Sequence, residues 1–172
     1  MFSLQGLNLI SYNFCDVDFT QDQEILFQIY ASTRSEELAL TNWTEEQKKT
    51  FLQMQFRSQQ TYYIENYQGA KFQIIESGQK VIGRLYTFEM NNEFRIVDIT
   101  LLPEFRGNGI GTRILEDIFR EAQKQNQDVT IHVERNNPAL KLYTRLGFMV
   151  VEDKGVYLFL SRPCHQAKAV KV

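Results

Sequence analysis

The sequence predicts an α/β protein: one mixed β-sheet flanked by helices, within a single domain. Three observations carry that expectation. The apolar residues recur with a helical period before Gly69 and with a period of two after it. A largely apolar strand, Arg95 to Leu102, runs through a glycine-rich turn directly into an amphipathic helix. No linker, low-complexity tract or internal repeat divides the 172 residues, a length suited to one domain with a sizeable core.

The elements follow in order. Leu7 to Tyr12 is a short apolar run read as a first strand, and Asp16 to Asp22 is a polar connection. From Gln21 the pattern is helical, with Ile25, Leu26 and Ile29 on one side, until Ser32 to Glu37 interrupts it with capping chemistry. Thr44 opens a second helix whose first turn holds Glu45 and Glu46, where the helix dipole favours acids; it is expected to end near Gln60. After Gly69, Phe72 and Ile74 alternate with polar neighbours, and Ser77-Gly78 turns the chain into a strand over Val81 to Met90. Asn91-Asn92 is a further turn before the Arg95 to Leu102 strand, which Pro103 ends. Ile110, Ile114, Leu115, Ile118, Phe119 and Ala122 mark the buried face of the next helix, and Val129 to Val133 is a strand. Asn137-Pro138 reads as N-cap and first helical position, with Gly147 as the C-terminal cap. Phe148 to Val151 and Val156 to Leu160 form a last hairpin around Asp153-Lys154-Gly155. The polar tail from Pro163 is expected to fray. The order is β-α-α-β-β-β-α-β-α-β-β, with residues 1–172 as one domain.

Composition narrows the function. An apolar fraction of 43% and a charged fraction of 23% are those of a globular protein rather than a disordered or membrane-embedded one. The net charge of −2, with both signs interspersed, supplies no basic stripe for nucleic acid, although charge alone leaves tRNA and protein acceptors open. Cys15 and Cys164 stand far apart, without CxxC or Cys/His metal spacing, so no metal is expected and reduced thiols fit a cytoplasmic location. Met1 to Ile10 has no basic n-region, and no run approaches the ~20 apolar residues of a membrane span.

The strongest chemical signal is Leu101-Leu102-Pro103-Glu104-Phe105-Arg106-Gly107-Asn108-Gly109-Ile110-Gly111-Thr112. Three glycines in five residues strip side chains from a loop that leads to a helix N-terminus, so backbone N–H groups can close on an anion such as a diphosphate. A P-loop requires Gly-Lys-Ser/Thr, and Gly111 is followed directly by Thr112. A dinucleotide fingerprint spaces its glycines as GxGxxG, whereas these stand two and two apart. A plain strand–helix turn is the bland alternative.

Arg106-x-x-Gly109-x-Gly111, in its strand-Pro-Glu-x-Arg-Gly-x-Gly-Ile-Gly setting, resembles the diphosphate motif of the GNAT superfamily of N-acetyltransferases. The stretch His132 to Phe148, "HVERNNPALKLYTRLGF", resembles the next strand and helix of that family, with Asn137, Tyr143 and Leu146-Gly147-Phe148 on its pattern. The likeness spans roughly Phe19 to Ser161, and the first half, with "YASTRSEELALTNW" and "GRLY", looks like small bacterial members. It implies the GNAT fold, acetyl-CoA as co-substrate and direct attack by a primary amine of a small molecule or peptide in a ternary complex. An acyl-CoA-binding sensor of the same fold with little turnover is the alternative, and a homodimer is compatible with the family.

The resemblance also implies roles. The diphosphate would lie on Arg106, Gly107, Asn108, Gly109, Ile110, Gly111 and Thr112. The pantetheine arm would lie along Ile99 to Leu102, with a backbone N–H near Leu101 facing the thioester carbonyl. Asn137 would help hold the arm. Tyr143 falls where the family places a general acid able to protonate a leaving thiolate. For the general base, Asp98 on the central strand ranks first, as a carboxylate whose desolvation would raise its pKa; Glu134 and then His132 follow. The acceptor site is expected around Tyr30, Arg34, Glu36 and Glu37, with Arg84 and Tyr86 on the neighbouring strand and Trp43 and Phe56 along the wall.

Overall fold

The computed structural model describes residues 10–165. Of the strand expected over Leu7 to Tyr12, residues 7–9 lie outside the described residues and Ile10 to Tyr12 precede the first strand rather than forming it; the tail beyond His165 also lies outside. The first described strand, β1, is Asn13–Asp16. Helices α1 (Gln23–Ser32) and α2 (Ser35–Ala39) follow, separated by the turn at Thr33-Arg34, so the capping run makes a short helix of its own. Helix α3 spans Glu45–Asn66; Thr44 and Gln47 close its start as a reciprocal capping box. It outruns the expected end near Gln60 because Tyr63 and Tyr67 carry its last turns onto the sheet, edge-on to Tyr86 and Phe88.

Strands β2 (Lys71–Ser77), β3 (Lys80–Met90) and β4 (Glu93–Leu101) form an antiparallel meander. A 3₁₀ turn at Pro103–Phe105 leads to α4 (Ile110–Lys124), then β5 (Asp128–Glu134), α5 (Leu140–Arg145), β6 (Met149–Asp153) and β7 (Tyr157–Arg162). All seven strands join one sheet in the order β1-β2-β3-β4-β5-β7-β6, with β4 and β5 parallel. Helix α5 starts later than expected. Its N-cap is Ala139, and Asn137 instead accepts the Ala139 N–H in a turn that precedes the helix, at 2.9 Å.

The sheet divides two cores. On one face α4 and α5 bury Ile110, Ile114, Leu115, Ile118 and Tyr143 against Ile96, Val129, Ile131 and Leu160. On the other, α1 and α3 bury Leu26, Tyr30 and Phe56 against Ile74 and Tyr86. The second core is aromatic: Tyr86 meets Phe72 at 4.9 Å and Tyr63 at 5.9 Å, both edge-on. Strand β3 lies very close to β4 near its start. A β-carbon on Gly83 would stand 2.2 Å from the Thr100 carbonyl oxygen.

Two consequences are measurable. Gly83→Ala has to push the β3 and β4 backbones apart and is expected to cost about 1–3 kcal/mol in urea unfolding, as overpacking does; an unchanged midpoint would contradict the close approach. Burial raises the phenols of Tyr63, Tyr86 and Tyr143 above their ordinary value, and burial with a bond to Asp117 pushes Tyr12 up to about 12. The unfolded chain then loses these protons first as pH rises, so their contribution to stability is intact below pH 10.0 and drains away above it. The thermal midpoint should fall steadily between about pH 10 and 12, with tyrosinate absorbance appearing together with unfolding; phenols that titrate in the native state at their ordinary value would refute this.

Candidate active site

Strands β4 and β5 pair over four residues only, from Glu93–Asp128 to Ile96–Ile131. The register between β3 and β4 shifts at the same level: Tyr86 faces Asp98 and Thr87 faces Ile96, leaving Val97 as the extra residue of a bulge. Beyond the bulge β4 stays on β3 and has no pairing with β5. The Leu102 N–H donates to the Ile82 carbonyl at 2.8 Å, on the β3 side. Because in-plane groups alternate along a strand, the N–H groups of Leu101 and Ile99 point the other way, into the gap between β4 and β5.

The glycine loop closes one end of this gap. Gly107 and Gly109 have φ of 73° and 76°, left-handed values that suit glycine. Gly109 is the N-cap of α4, no acid stands in the first turn, and the first helical bond is Arg113 N–H to Gly109 O at 3.1 Å. The N–H groups of Ile110, Gly111 and Thr112 are thus left without helical partners while Ile110 anchors the helix in the core. At Gly111 a β-carbon would meet only a Leu101 methyl, at 3.8 Å. Bare backbone donors at a helix N-terminus, with no side chain filling the cradle, fit a diphosphate. Arg106 reaches across: its Nε donates to the Leu101 carbonyl at 2.7 Å and its Nη2 to Ser32 Oγ at 3.3 Å.

Asp98, first among the expected bases, has both oxygens engaged. Arg84 donates to them from Nε at 3.3 Å and from Nη2 at 2.8 Å, Tyr63 Oη donates at 3.2 Å and Thr100 Oγ1 at 2.9 Å. The Arg84 side chain is 1% exposed and that of Asp98 11%. Arg84 Nη2 also donates to Gln59 Oε1 at 2.8 Å, while its Nη1 is buried without a partner among the described residues. Arg84 and Tyr86, expected on the acceptor wall, are both buried. Both lie inside the α1–α3 core, because the β3 face that carries them is covered by α3. Tyr30 and Phe56 are buried in that same core, and Trp43 stands outside it, edge-on to Phe51 at 5.2 Å.

Tyr143 projects from α5 into the other core, 5% exposed and edge-on to Phe148 at 5.5 Å. Its hydroxyl makes no hydrogen bond among the described residues. Burial, reinforced by the Asp98 charge, raises its pKa, and the phenol is protonated at neutral pH.

The far side of the gap is roofed by the α1–α2 turn. Arg34 grips Glu134 at the end of β5 through two bonds, Nη2 to Oε1 at 2.6 Å and Nη1 to Oε2 at 3.2 Å, and also touches Glu37 at 3.3 Å. The Glu134 bond raises the guanidinium pKa further. Tyr157 Oη donates to Glu134 Oε1 at 3.5 Å. His132, on the same face as Glu134, stacks on Phe159 at 4.7 Å; burial, then Arg95 and Lys154, lower its pKa, so the ring is neutral at pH 7. The fold thus brings together Leu101, Arg106 and the glycines on β4 and α4, with Arg34 and Glu134 across the gap. It also adds Ser32, Gln59, Tyr63, Thr100 and Tyr157, none of which carries a local sequence signal. Gly83, a lone glycine inside an apolar strand pattern, did carry one.

Among the described residues no cluster of His, Cys, Asp or Glu could hold a metal, and no helix is long and apolar enough to cross a membrane. The family described as acetyltransferase (GNAT) domain matches residues 39–157, well over half of the chain. The [ribosomal protein bS18]-alanine N-acetyltransferase of Haemophilus influenzae is 30% identical over 98 residues, 55% of this chain; the match spans 66% of that relative's length. Among solved structures, the PaiA N-acetyltransferase of Thermoplasma acidophilum, in complex with coenzyme A, superposes with a TM-score of 0.67 at 16% identity, covering 89% of this chain and 99% of that one. An acetyltransferase from Thermus thermophilus gives 0.65 at 19%, covering 90% and 98%. The ribosomal-protein-S18-alanine N-acetyltransferase of Escherichia coli gives 0.59 at 17%, covering 93% and 98%. At such identities these likenesses speak for the fold.

Proposed function

The chain belongs to the GNAT acetyltransferase family, and from that premise we propose that it moves an acetyl group from acetyl-CoA to a primary amine by direct attack within a ternary complex. The observation that carries the proposal is the free β4 edge, whose inward N–H at Leu101 lies beside a side-chain-free anion cradle at the start of α4. Acetyl-CoA, when bound, supplies the activated acyl group as a thioester.

In this reading Arg106, Gly107, Asn108, Gly109, Ile110, Gly111 and Thr112 receive the diphosphate with backbone N–H groups and the helix end. Ile99 and Leu101 supply the edge for the pantetheine arm, Leu102 being bonded to Ile82 on the other side, and Asn137 borders it. The Leu101 N–H faces the acyl carbonyl oxygen and stabilises negative charge that develops there. Tyr143 holds a proton that its buried phenol keeps at neutral pH and gives it to the departing sulfur, whose ordinary thiol pKa is ~8.5. Glu134 meets the incoming amine: an acceptor ammonium can take the place of Arg34 as its cation, then lose its proton there. Asp98, with both oxygens engaged, is not the base in this reading. A peptide amine is the first acceptor to try, because the relative from Haemophilus influenzae is named for an alanine of a ribosomal protein.

Calorimetric titration with acetyl-CoA, beside NADH and ATP, tests the first half of the proposal, and thiol release on adding peptide amines tests the second. Saturable binding without thiol release from any amine would favour an acyl-CoA sensor. Gly111→Glu is expected to abolish CoA binding while leaving the fold intact, since its backbone tolerates a β-carbon and only the anion space is filled; unchanged affinity would remove the loop from the site. Tyr143→Phe is expected to lower kcat by ~10²-fold, within the range for a lost general acid, with the dissociation constant for acetyl-CoA unchanged; a wild-type kcat would exclude the acid role.

A further inference from the structure

We infer that Arg84 and Asp98 are positioning residues for the co-substrate: their buried pair holds β4 in the bulged path that parts it from β5, and so keeps open the edge on which the acyl-CoA arm lies. The inference rests on the acetyl-CoA reading above and deepens it.

Four features point the same way. The pairing of β4 with β5 stops at Ile96, the bulge falls on Val97, and Asp98 is the next residue. Among the described residues no donor on the Asp98 carboxylate comes from β5: Arg84 reaches it from β3, Tyr63 from α3 and Thr100 from β4 itself. Strand β3 is shaped to accept β4 there, since Gly83 faces Leu101 and leaves room for the Thr100 carbonyl. The pair is also not optimised for stability alone. Arg84 Nη1 is left buried without a partner among the described residues, and apolar side chains of similar size often replace a buried ion pair at no loss. What such side chains cannot reproduce is a directional grip on one carboxylate at the bulge. The clamp therefore acts on backbone geometry, and through it on Leu101.

The test uses the whole chain and separates stability from co-substrate geometry. The double variant Arg84→Met/Asp98→Leu should unfold in urea near the wild-type midpoint, while its dissociation constant for CoA rises about tenfold or more, the scale of loss when a site shifts by a fraction of an ångström to an ångström. Hydrogen exchange in the segment holding Ile99 and Leu101 should slow in the ligand-free double variant, because a relaxed β4 can pair with β5. Asp98→Asn, which keeps shape and removes charge, is the second variant should the double one not fold; it should weaken CoA binding and raise KM for acetyl-CoA more than it lowers kcat. Either folded variant binding CoA with wild-type affinity would overturn the clamp and leave the proposed function standing. Wild-type protein that takes no CoA would overturn the proposed function and the clamp with it.

Discussion

Two parallel strands that pair for four residues and then separate leave a row of backbone groups facing a gap, and such groups are costly to leave dry. The rest of this molecule is arranged around that separation. On the β4 side the strand is kept on β3 by the bulge at Val97, by the close approach at Gly83 and by the Arg84–Asp98 pair. On the β5 side the chain turns away through Asn137 into α5, which carries Tyr143 into the core on one face of the sheet. The glycine loop closes the gap at one end and presents the helix N-terminus to it. In the proposed function these two surfaces take the two parts of the co-substrate: the backbone edge its amide-bearing arm, the bare N–H groups its diphosphate.

The gap also explains why charged side chains from distant parts of the chain converge on it. Arg34, in the α1–α2 turn, and Ser32, at the end of α1, contact Glu134 on β5 and Arg106 in the loop. These contacts tie the roof to both walls. They are partly exposed, so each adds little to stability. Arg106 joins the β4 wall to the roof, since its Nε holds the Leu101 carbonyl and its Nη2 reaches Ser32.

Much of the fold was legible before any coordinates. The change of period after Gly69, the Ser77-Gly78 and Asn91-Asn92 turns and the amphipathic α4 are local signals, and each element formed where they indicated. The family expected from Arg106-x-x-Gly109-x-Gly111 is the one that matches residues 39–157. The misplaced boundaries have local causes: aromatic contacts extend α3 to Asn66, and the Asn137 side chain satisfies a turn ahead of α5 rather than the helix itself.

The site residues divide along a physical line. Backbone-made features depend on the residues in sequence around them: glycines that permit left-handed φ, a helix start without acids, a strand ended by proline. The sequence by itself determined those. Side-chain roles depend on what stands opposite, across strands or helices far apart in the chain. Asp98 reads as a free carboxylate beside a reaction centre until Arg84, fourteen residues earlier, and Tyr63 on α3 converge on it. Arg84 and Tyr86 read as pocket lining until α3 covers them. Ionisation and access are set by neighbours in space, through desolvation and short-range charge pairing, and only the tertiary structure decided those.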